Sequence, residues 1–379
     1  MEQQKTASKT PDTSPKEHPQ FAEVNRKQLE EELNNIIESM RENRNADLIR
    51  FGRDHGFLNC SLRARAYMAL LDISYSDIED FNEYITSTPL MKKDEIIEND
   101  SARSFLGFKE LANLPESDLQ NQRKELSLIL NLFFQRYPNL SYYQGLNSFG
   151  EVLLIYFGKS LASLILERWC LKYLKQYLSN DEFEHEIKRQ MYIALKILEK
   201  ELPEYKEILK IEGDINDHRV AQERLGFIVS WIVTWFAYRM KSLDSIFRNF
   251  DFLLCSPRHT VSIMVALVIR HIILKDKLSV NSPYEQVLLS FYSCDLDHIQ
   301  WEQLIRQATI LGNTDDYRNI DYVNGGGKGL ASIVKGFSLP WGKGKKGKGM
   351  DDSEWGLSHQ VEEKKQKNIF QKVTGLFKK

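Results

Sequence analysis

Apolar residues between positions 22 and 320 recur at spacings of three and four, and no segment there sustains the period-two alternation bounded by hairpin turns that a strand needs. That pattern leaves no place for a sheet and predicts an all-α body. Leu29, Leu33, Ile36, Ile37 and Met40 make the first helical face, and Leu48–Phe51 and Leu62–Leu71 continue it, with Gly52 and Gly56 punctuating the connection. The run ELSLILNLFFQR at 125–136 predicts a buried helix ended by Pro138. Apolar helices are expected over Trp169–Leu178, Gln190–Leu198, Leu225–Met240, Ile246–Leu254 and Val261–Leu274. Their aromatic residues Trp231, Trp235, Phe236 and Phe252 are expected in the core and not at a binding surface. No repeat with a period of about 20–50 residues is visible, which weakens a solenoid.

The two ends have a different composition. Residues 1–21 are rich in Thr, Ser, Pro, Lys and Gln, as in a disordered leader. The helical body is assigned to 22–320 and a basic tail to 321–379. The net charge of −2 conceals an asymmetry: residues 322–379 carry twelve lysines against five acids, a net of +7, which leaves −9 on the rest. An acidic body argues against nucleic-acid binding and directs the tail toward an anionic surface. In the tail, Leu330, Ile333, Val334 and Phe337 fall at i, i+3, i+4 and i+7, with Trp341 beside them. Ile369, Phe370, Val373, Leu376 and Phe377 repeat the face after the run GKGKKGK, and acids are absent from 325–350 and 364–379. Two such segments are expected to hold an anionic membrane jointly, at up to ~1 kcal/mol per lysine near the surface. A solubilising tail or a docking segment for a protein partner is the alternative.

Several chemistries are excluded. A membrane-spanning helix needs about 18 apolar residues, whereas Val152–Phe157 ends at Gly158-Lys159, Gly226–Ala237 is short, and Val261–Leu274 contains Arg270-His271. The N-terminus is polar from its first residue, unlike a signal peptide. The four cysteines form no disulfide or zinc-ligand spacing, which predicts a reducing compartment with packed thiols, so a cytoplasmic location is expected. Gly158-Lys159-Ser160 resembles the end of a phosphate loop, but position 153 is Leu where a glycine is needed, and GGGKG at 325–329 follows no strand. His185-Glu186 lacks the second histidine of a zinc-protease helix, since position 189 is Arg. No metal, cofactor or covalent chemistry is expected of this chain.

Two polar clusters remain. Ile97, Asp100 and Ser104 share a helical face, and Asp100 stands three residues before Arg103, close enough for its carboxylate to hold the guanidinium. Taken alone, that is an ordinary surface ion pair. The second cluster is Tyr142-Tyr143-Gln144-Gly145-Leu146-Asn147, on the loop after Pro138. Its Gly145 permits a close backbone approach or an unusual φ.

Together the clusters resemble the paired signatures of TBC-domain Rab GTPase-activating proteins, I-x-x-D-x-x-R and Y-x-Q-G-x-N, here Ile97…Asp100…Arg103 and Tyr142…Gln144-Gly145…Asn147. The upstream pattern R-x-x-x-W-x-x-L-L is present as Arg63…Tyr67…Leu70-Leu71, with Tyr67 in place of the family's Trp. SWIVTWF at 230–236 and RNFD at 248–251 match later family helices. The similarity spans roughly residues 48–310 and is greatest to the branch containing TBC domain family member 20 and its fungal relatives. That branch acts on the Rab of endoplasmic-reticulum-to-Golgi traffic and carries a transmembrane anchor that is not expected here.

The resemblance implies a two-lobed helical domain that activates a GTP-bound Rab in vesicle traffic while peripheral on ER or Golgi membranes. It gives Arg103 and Gln144 the roles of arginine and glutamine fingers supplied in trans, with Asp100 orienting Arg103, Tyr142, Gly145 and Asn147 shaping the glutamine loop, and Arg63 bracing the site. GTP and Mg²⁺ belong to the Rab, so the chain is an activator of catalysis and not itself a hydrolase. The alternative is a non-catalytic Rab-binding or membrane-tethering module on the same fold.

Overall fold

Local capping signals start several of the helices. Asn59 accepts a hydrogen bond from Leu62 N, Ser74 and Asp77 close a capping box, and Ser242 accepts from Ser245 N, each satisfying amides that a first turn leaves unpaired. The structure is a computed structural model describing residues 19–39, 45–211 and 218–314, and it contains no strand among them. The leader at 1–18 and the tail, with both of its apolar faces, lie outside the described residues.

In chain order the helices are α1 (Pro19–Ser39), α2 (Asn45–His55), α3 (Cys60–Leu70), α4 (Tyr75–Ser87), α5 (Glu95–Ala102), α6 (Glu116–Arg136) and α7 (Leu146–Lys172). There follow α8 (Lys175–Leu178), α9 (Phe183–Glu201), α10 (Tyr205–Ile208), α11 (His218–Val233), α12 (Leu243–Leu254), α13 (Thr260–Lys275), α14 (Tyr284–Ser293) and α15 (Trp301–Gly312). α1 thus starts at Pro19, inside the stretch assigned to the leader. The first seven pack largely among themselves, with α7 touching α3, α4, α5 and α6. The later ones gather on α13, which packs against α9, α11, α14 and α15. α7 and α12 join the two groups, α7 through α8 and α12 by packing on both α2 and α15. The expected core aromatics are buried: Phe149 of α7 lies 5.6 Å from Trp169, 5.8 Å from Trp235 and 5.3 Å from Phe250, ring centre to ring centre.

Two expected helices are interrupted. The segment Leu225–Met240 stops being α-helical at Val233; Trp235 and Phe236 take φ of 48° and 70°, and a 3-10 turn follows over Ala237–Arg239. A continued helix would keep Trp231 and Trp235 on one stripe. Breaking it lets Trp235 enter the cluster around Phe149 and Trp169 while Phe236 packs against Trp301, 5.2 Å away. Left-handed backbone costs roughly 1–2 kcal/mol per residue, which burial of two large rings offsets. The segment Trp169–Leu178 likewise divides between the end of α7 and α8. α7 is the one helix among the described residues long and apolar enough to cross a bilayer. It is broken at Gly158, whose φ of 70° and ψ of 169° are not helical, and most of its apolar stretch is packed in the core. Of the thiols, Cys170 and Cys255 are buried and Cys60 is exposed.

A buried ion pair ties α3 to α12. Arg63 Nε lies 3.1 Å from both carboxylate oxygens of Asp251, and its Nη2 donates to Oδ2 at 3.0 Å. Asp251 also accepts from Tyr67 OH at 2.8 Å and from Phe57 N at 2.8 Å, so a fully buried carboxylate is surrounded by donors. Arg63 reaches Tyr156 OH as well and lies over the Phe247 ring, 5.0 Å from its centre. Tyr67 therefore does more than fill space. Removing one member of a buried pair strands the other, at about 3–5 kcal/mol. Arg63→Met should lower unfolding stability by about that amount, and Tyr67→Phe by only about 1 kcal/mol, since three other donors remain. Urea unfolding of both variants checks the ranking; equal losses would contradict it.

Candidate functional site

α5 is short and depends on its neighbours for its pose. Its cap Asp94 accepts from Ile96 N and Ile97 N, and the Asp94 N–H donates to Asn131 Oδ1 of α6 at 2.7 Å. One turn on, Glu98 accepts from Ser127 and from Asn131 Nδ2. These two polar residues, buried in the otherwise apolar helix at 125–136, therefore anchor α5. Ile97 points into the core and is fully buried.

Arg103 is the C-cap of α5. Its Nη2 donates to Asp100 Oδ1 at 2.8 Å and its Nε to the Asn99 carbonyl at 3.2 Å. The two ends of this pair differ sharply: the Arg103 side chain is 58% exposed and that of Asp100 only 5%. A surface ion pair exposes both partners and holds neither firmly. Here a buried carboxylate fixes one edge of the guanidinium while Nη1 has no partner among the described residues.

The other Asp100 oxygen accepts from Tyr142 OH at 2.8 Å, across 42 residues of sequence. Asn147 Oδ1 lies 3.3 Å from the same hydroxyl, and Asn147 Nδ2 donates to Ser104 Oγ at 3.0 Å. Ser104 Oγ in turn donates to the Asp100 carbonyl at 3.0 Å, which closes the circuit. The sequence places Ser104 on the right face but gives it no role; it lies just past the end of α5 and links the two motifs. Burial raises the Asp100 carboxyl above its ordinary range, while the Tyr142 hydroxyl and Arg103 pull it back. Burial, then the Asp100 charge, pushes the Tyr142 hydroxyl well up, so it stays a donor.

The loop carrying Gln144 is fixed on both sides of that residue. Tyr142 is tied to α5, and Tyr143 OH donates to the Val233 carbonyl at the end of α11 at 2.9 Å. Gly145 has φ 108°, and a Cβ there would stand 3.0 Å from Thr234 Cγ2, so both conformation and space call for glycine. Between these anchors Gln144 is half-buried, with no hydrogen-bond partner for its amide among the described residues. The result is a planar cation and a neutral amide, each held through the backbone or one edge and each with donors to spare.

The structure thus joins Asp100, Arg103, Tyr142 and Asn147 by hydrogen bonds, with Gln144 and Gly145 on the loop between Tyr142 and Asn147. It does not bring in Arg63, whose partners are Asp251, Tyr156 and Phe247. The bracing role expected of Arg63 is exercised on the α3–α12 core, because a guanidinium this deeply buried must sit on its own carboxylate.

Comparison with known proteins gives the family and the fold. The model of the family described as Rab-GTPase-TBC domain matches residues 60–278. Among relatives, the GTPase-activating protein gyp10 of Schizosaccharomyces pombe is 29% identical over 215 residues, covering 57% of this chain and 54% of that protein. TBC1 domain family member 20 of Homo sapiens is 24% identical over 216 residues, covering 56% and 50%. The matched region thus spans about half the length of these relatives. Among solved structures, the Ypt/Rab-GAP domain of Gyp1p superposes with a TM-score of 0.52 at 16% identity, over 76% of this chain and 98% of that one. The Chlamydomonas flagellar RabGAP TBC domain gives 0.50 at 12% identity, over 78% and 96%. With more than half of its length matched by the family model, the chain belongs to the Rab-GTPase-TBC domain family.

Proposed function

We propose that this chain is a GTPase-activating protein for a Rab-family GTPase in its GTP form, and that Arg103 and Gln144 act in trans on the nucleotide the Rab holds. The supporting observation is the half-anchored guanidinium: Arg103 is held by buried Asp100, and its Nη1 has no partner among the described residues. Hydrolysis builds negative charge between the β- and γ-phosphates, which a permanently charged, planar donor stabilises. Gln144, without a side-chain hydrogen bond among the described residues and in a loop pinned on both flanks, can donate to phosphate while accepting from the attacking water. Arg103 and Tyr142, two residues before Gln144, share Asp100 as a partner, which supports a reading in which the two groups are positioned jointly.

A phosphate-release screen of the full chain against a panel of GTP-loaded Rabs tests this. On the Rab that responds most strongly, Arg103→Ala should lower stimulated hydrolysis by about 10³-fold or more. Arg103→Lys should be nearly as poor, since an ammonium cannot reproduce the fork. Near-normal stimulation by Arg103→Ala would contradict the assignment. Replacing the Rab's own catalytic glutamine by Ala should leave substantial stimulation, whereas Gln144→Ala should abolish it; the reverse dependence would reject Gln144 as the residue that positions water.

The place of action we infer is the cytoplasmic face of endomembranes in endoplasmic-reticulum-to-Golgi traffic. It rests on the similarity to the member 20 branch and on the two lysine-rimmed faces of the tail. Removing residues 322–379 should release the protein from anionic liposomes without changing its stimulation of hydrolysis in solution. Ile333 and Phe337, or Ile369 and Phe377, changed to Asp should each weaken sedimentation with liposomes, and both pairs together should weaken it far more. Added salt should weaken it too, as the screening length is about 8 Å at physiological ionic strength. Equal sedimentation of full-length and truncated protein would assign the tail to another role.

A further inference from the structure

The backbone that leaves Arg103 is held by a buried acid that belongs to neither signature cluster. The N–H of Phe105, two residues after Arg103, donates to Glu151 Oε2 of α7 at 2.8 Å. The two preceding amides still point back into α5, Arg103 N to the Asp100 carbonyl and Ser104 N to that of Ser101. Phe105 then adopts φ 69°, a left-handed backbone that bulky residues rarely take, with its side chain buried. A buried amide turned out of the helical pattern needs an acceptor from elsewhere. Glu151 supplies it.

Glu151 lies one helical turn after Asn147, whose amide donates to Ser104 Oγ. Successive turns of α7 therefore grip successive residues beyond Arg103: Asn147 holds Ser104 and Glu151 holds Phe105. α7 is also the helix capped by Gly145, directly after Gln144. One rigid element thus fixes the exit of the arginine turn and the start of the glutamine loop.

The Phe105 amide calls for an acceptor at this position, and the residue that supplies it is a buried acid. Glu151 is buried, as are its chain neighbours Phe149, Gly150, Val152, Leu153 and Leu154, and an apolar side chain in its place would leave the Phe105 amide without its acceptor. Burial raises its carboxyl above the ordinary range, and the Phe105 amide, Lys241 and Ser104 draw it partway back. The Phe105 amide needs an acceptor, which either protonation state of the acid provides.

We propose that Glu151 is a positioning residue for Arg103: by holding the Ser104–Phe105 turn against α7 it sets the direction in which the guanidinium leaves α5, in register with Gln144. The proposal rests on the reading of Arg103 as the catalytic arginine. It acts on the chemical step and not on docking of the Rab.

The test is stimulated hydrolysis by the full chain on the Rab giving the largest phosphate release, with kcat and KM for the GTP-loaded Rab separated and thermal unfolding recorded for each variant. Glu151→Met, similar in length but without an acceptor, should lower kcat by about 10- to 100-fold, as expected for a misplaced catalytic group, with KM within about twofold of wild type. Glu151→Gln, which keeps an acceptor oxygen, should restore kcat to within about threefold of wild type. Glu151→Asp keeps the charge but withdraws the acceptor by one methylene, and should fall between them; it keeps the test decisive if Glu151→Met does not fold. Wild-type kcat in Glu151→Met or Glu151→Asp overturns the proposal. So does a Glu151→Gln as inactive as Glu151→Met, or a loss that appears in KM. Arg103→Ala is run alongside: if it is inactive while Glu151→Met is normal, only this inference fails, whereas a normal Arg103→Ala removes the arginine reading and this inference together.

Discussion

The site depends on a single carboxylate that has been taken out of water. Asp100 is almost fully buried, and a buried carboxylate is tolerated only where charge or hydrogen bonds replace its hydration. Arg103 satisfies one oxygen from its own helix and Tyr142 the other from a loop 42 residues further on. Neither partner can leave without stranding the acid. The requirement to pair Asp100 therefore brings two distant segments together, with a cation on one and an amide on the other.

Arg63 and Arg103 show how environment divides the work of one residue type. Both sit on carboxylates, but Arg63 is enclosed, and Asp251, Tyr156 and the Phe247 ring take up its guanidinium. That pair stitches α3 to α12 and gives the core a fixed register. Arg103 is held along one edge and open on the other. The first arrangement stabilises a fold; the second leaves donors for a charge supplied by a partner.

Local spacing carried much of this into view. The three-residue step from Asp100 to Arg103, the apolar helices other than the two that are interrupted, and the core positions of Trp231, Trp235, Phe236 and Phe252 are all properties of short stretches, and the structure agrees with them. What spacing hides is pairing across the chain. Asp251 lies 188 residues from Arg63 and Glu151 lies 46 from Phe105, and although both acids stand in apolar runs, nothing local names the partner of either. The resemblance to a family joined residues 97–103 to 142–147, which periodicity could not do. The break at Thr234–Phe236 was hidden for another reason: that segment has helical periodicity throughout, and only competing aromatic neighbours make the chain turn.

The most direct measure of Asp100 as the common anchor is the affinity of the full chain for a GDP-loaded responsive Rab, with and without aluminium fluoride as a mimic of the transferring phosphoryl group. Transition-state mimics bind more tightly wherever catalytic groups are correctly placed. Asp100→Asn keeps the volume but weakens the hold on Arg103 and presents Tyr142 with an amide in place of one carboxylate oxygen. The account predicts that the wild-type chain gains at least about 10²-fold in affinity on adding fluoride, and that Asp100→Asn, with Arg103 and Gln144 intact, loses most of that gain while its fluoride-free affinity is unchanged. An undiminished gain in Asp100→Asn would contradict it.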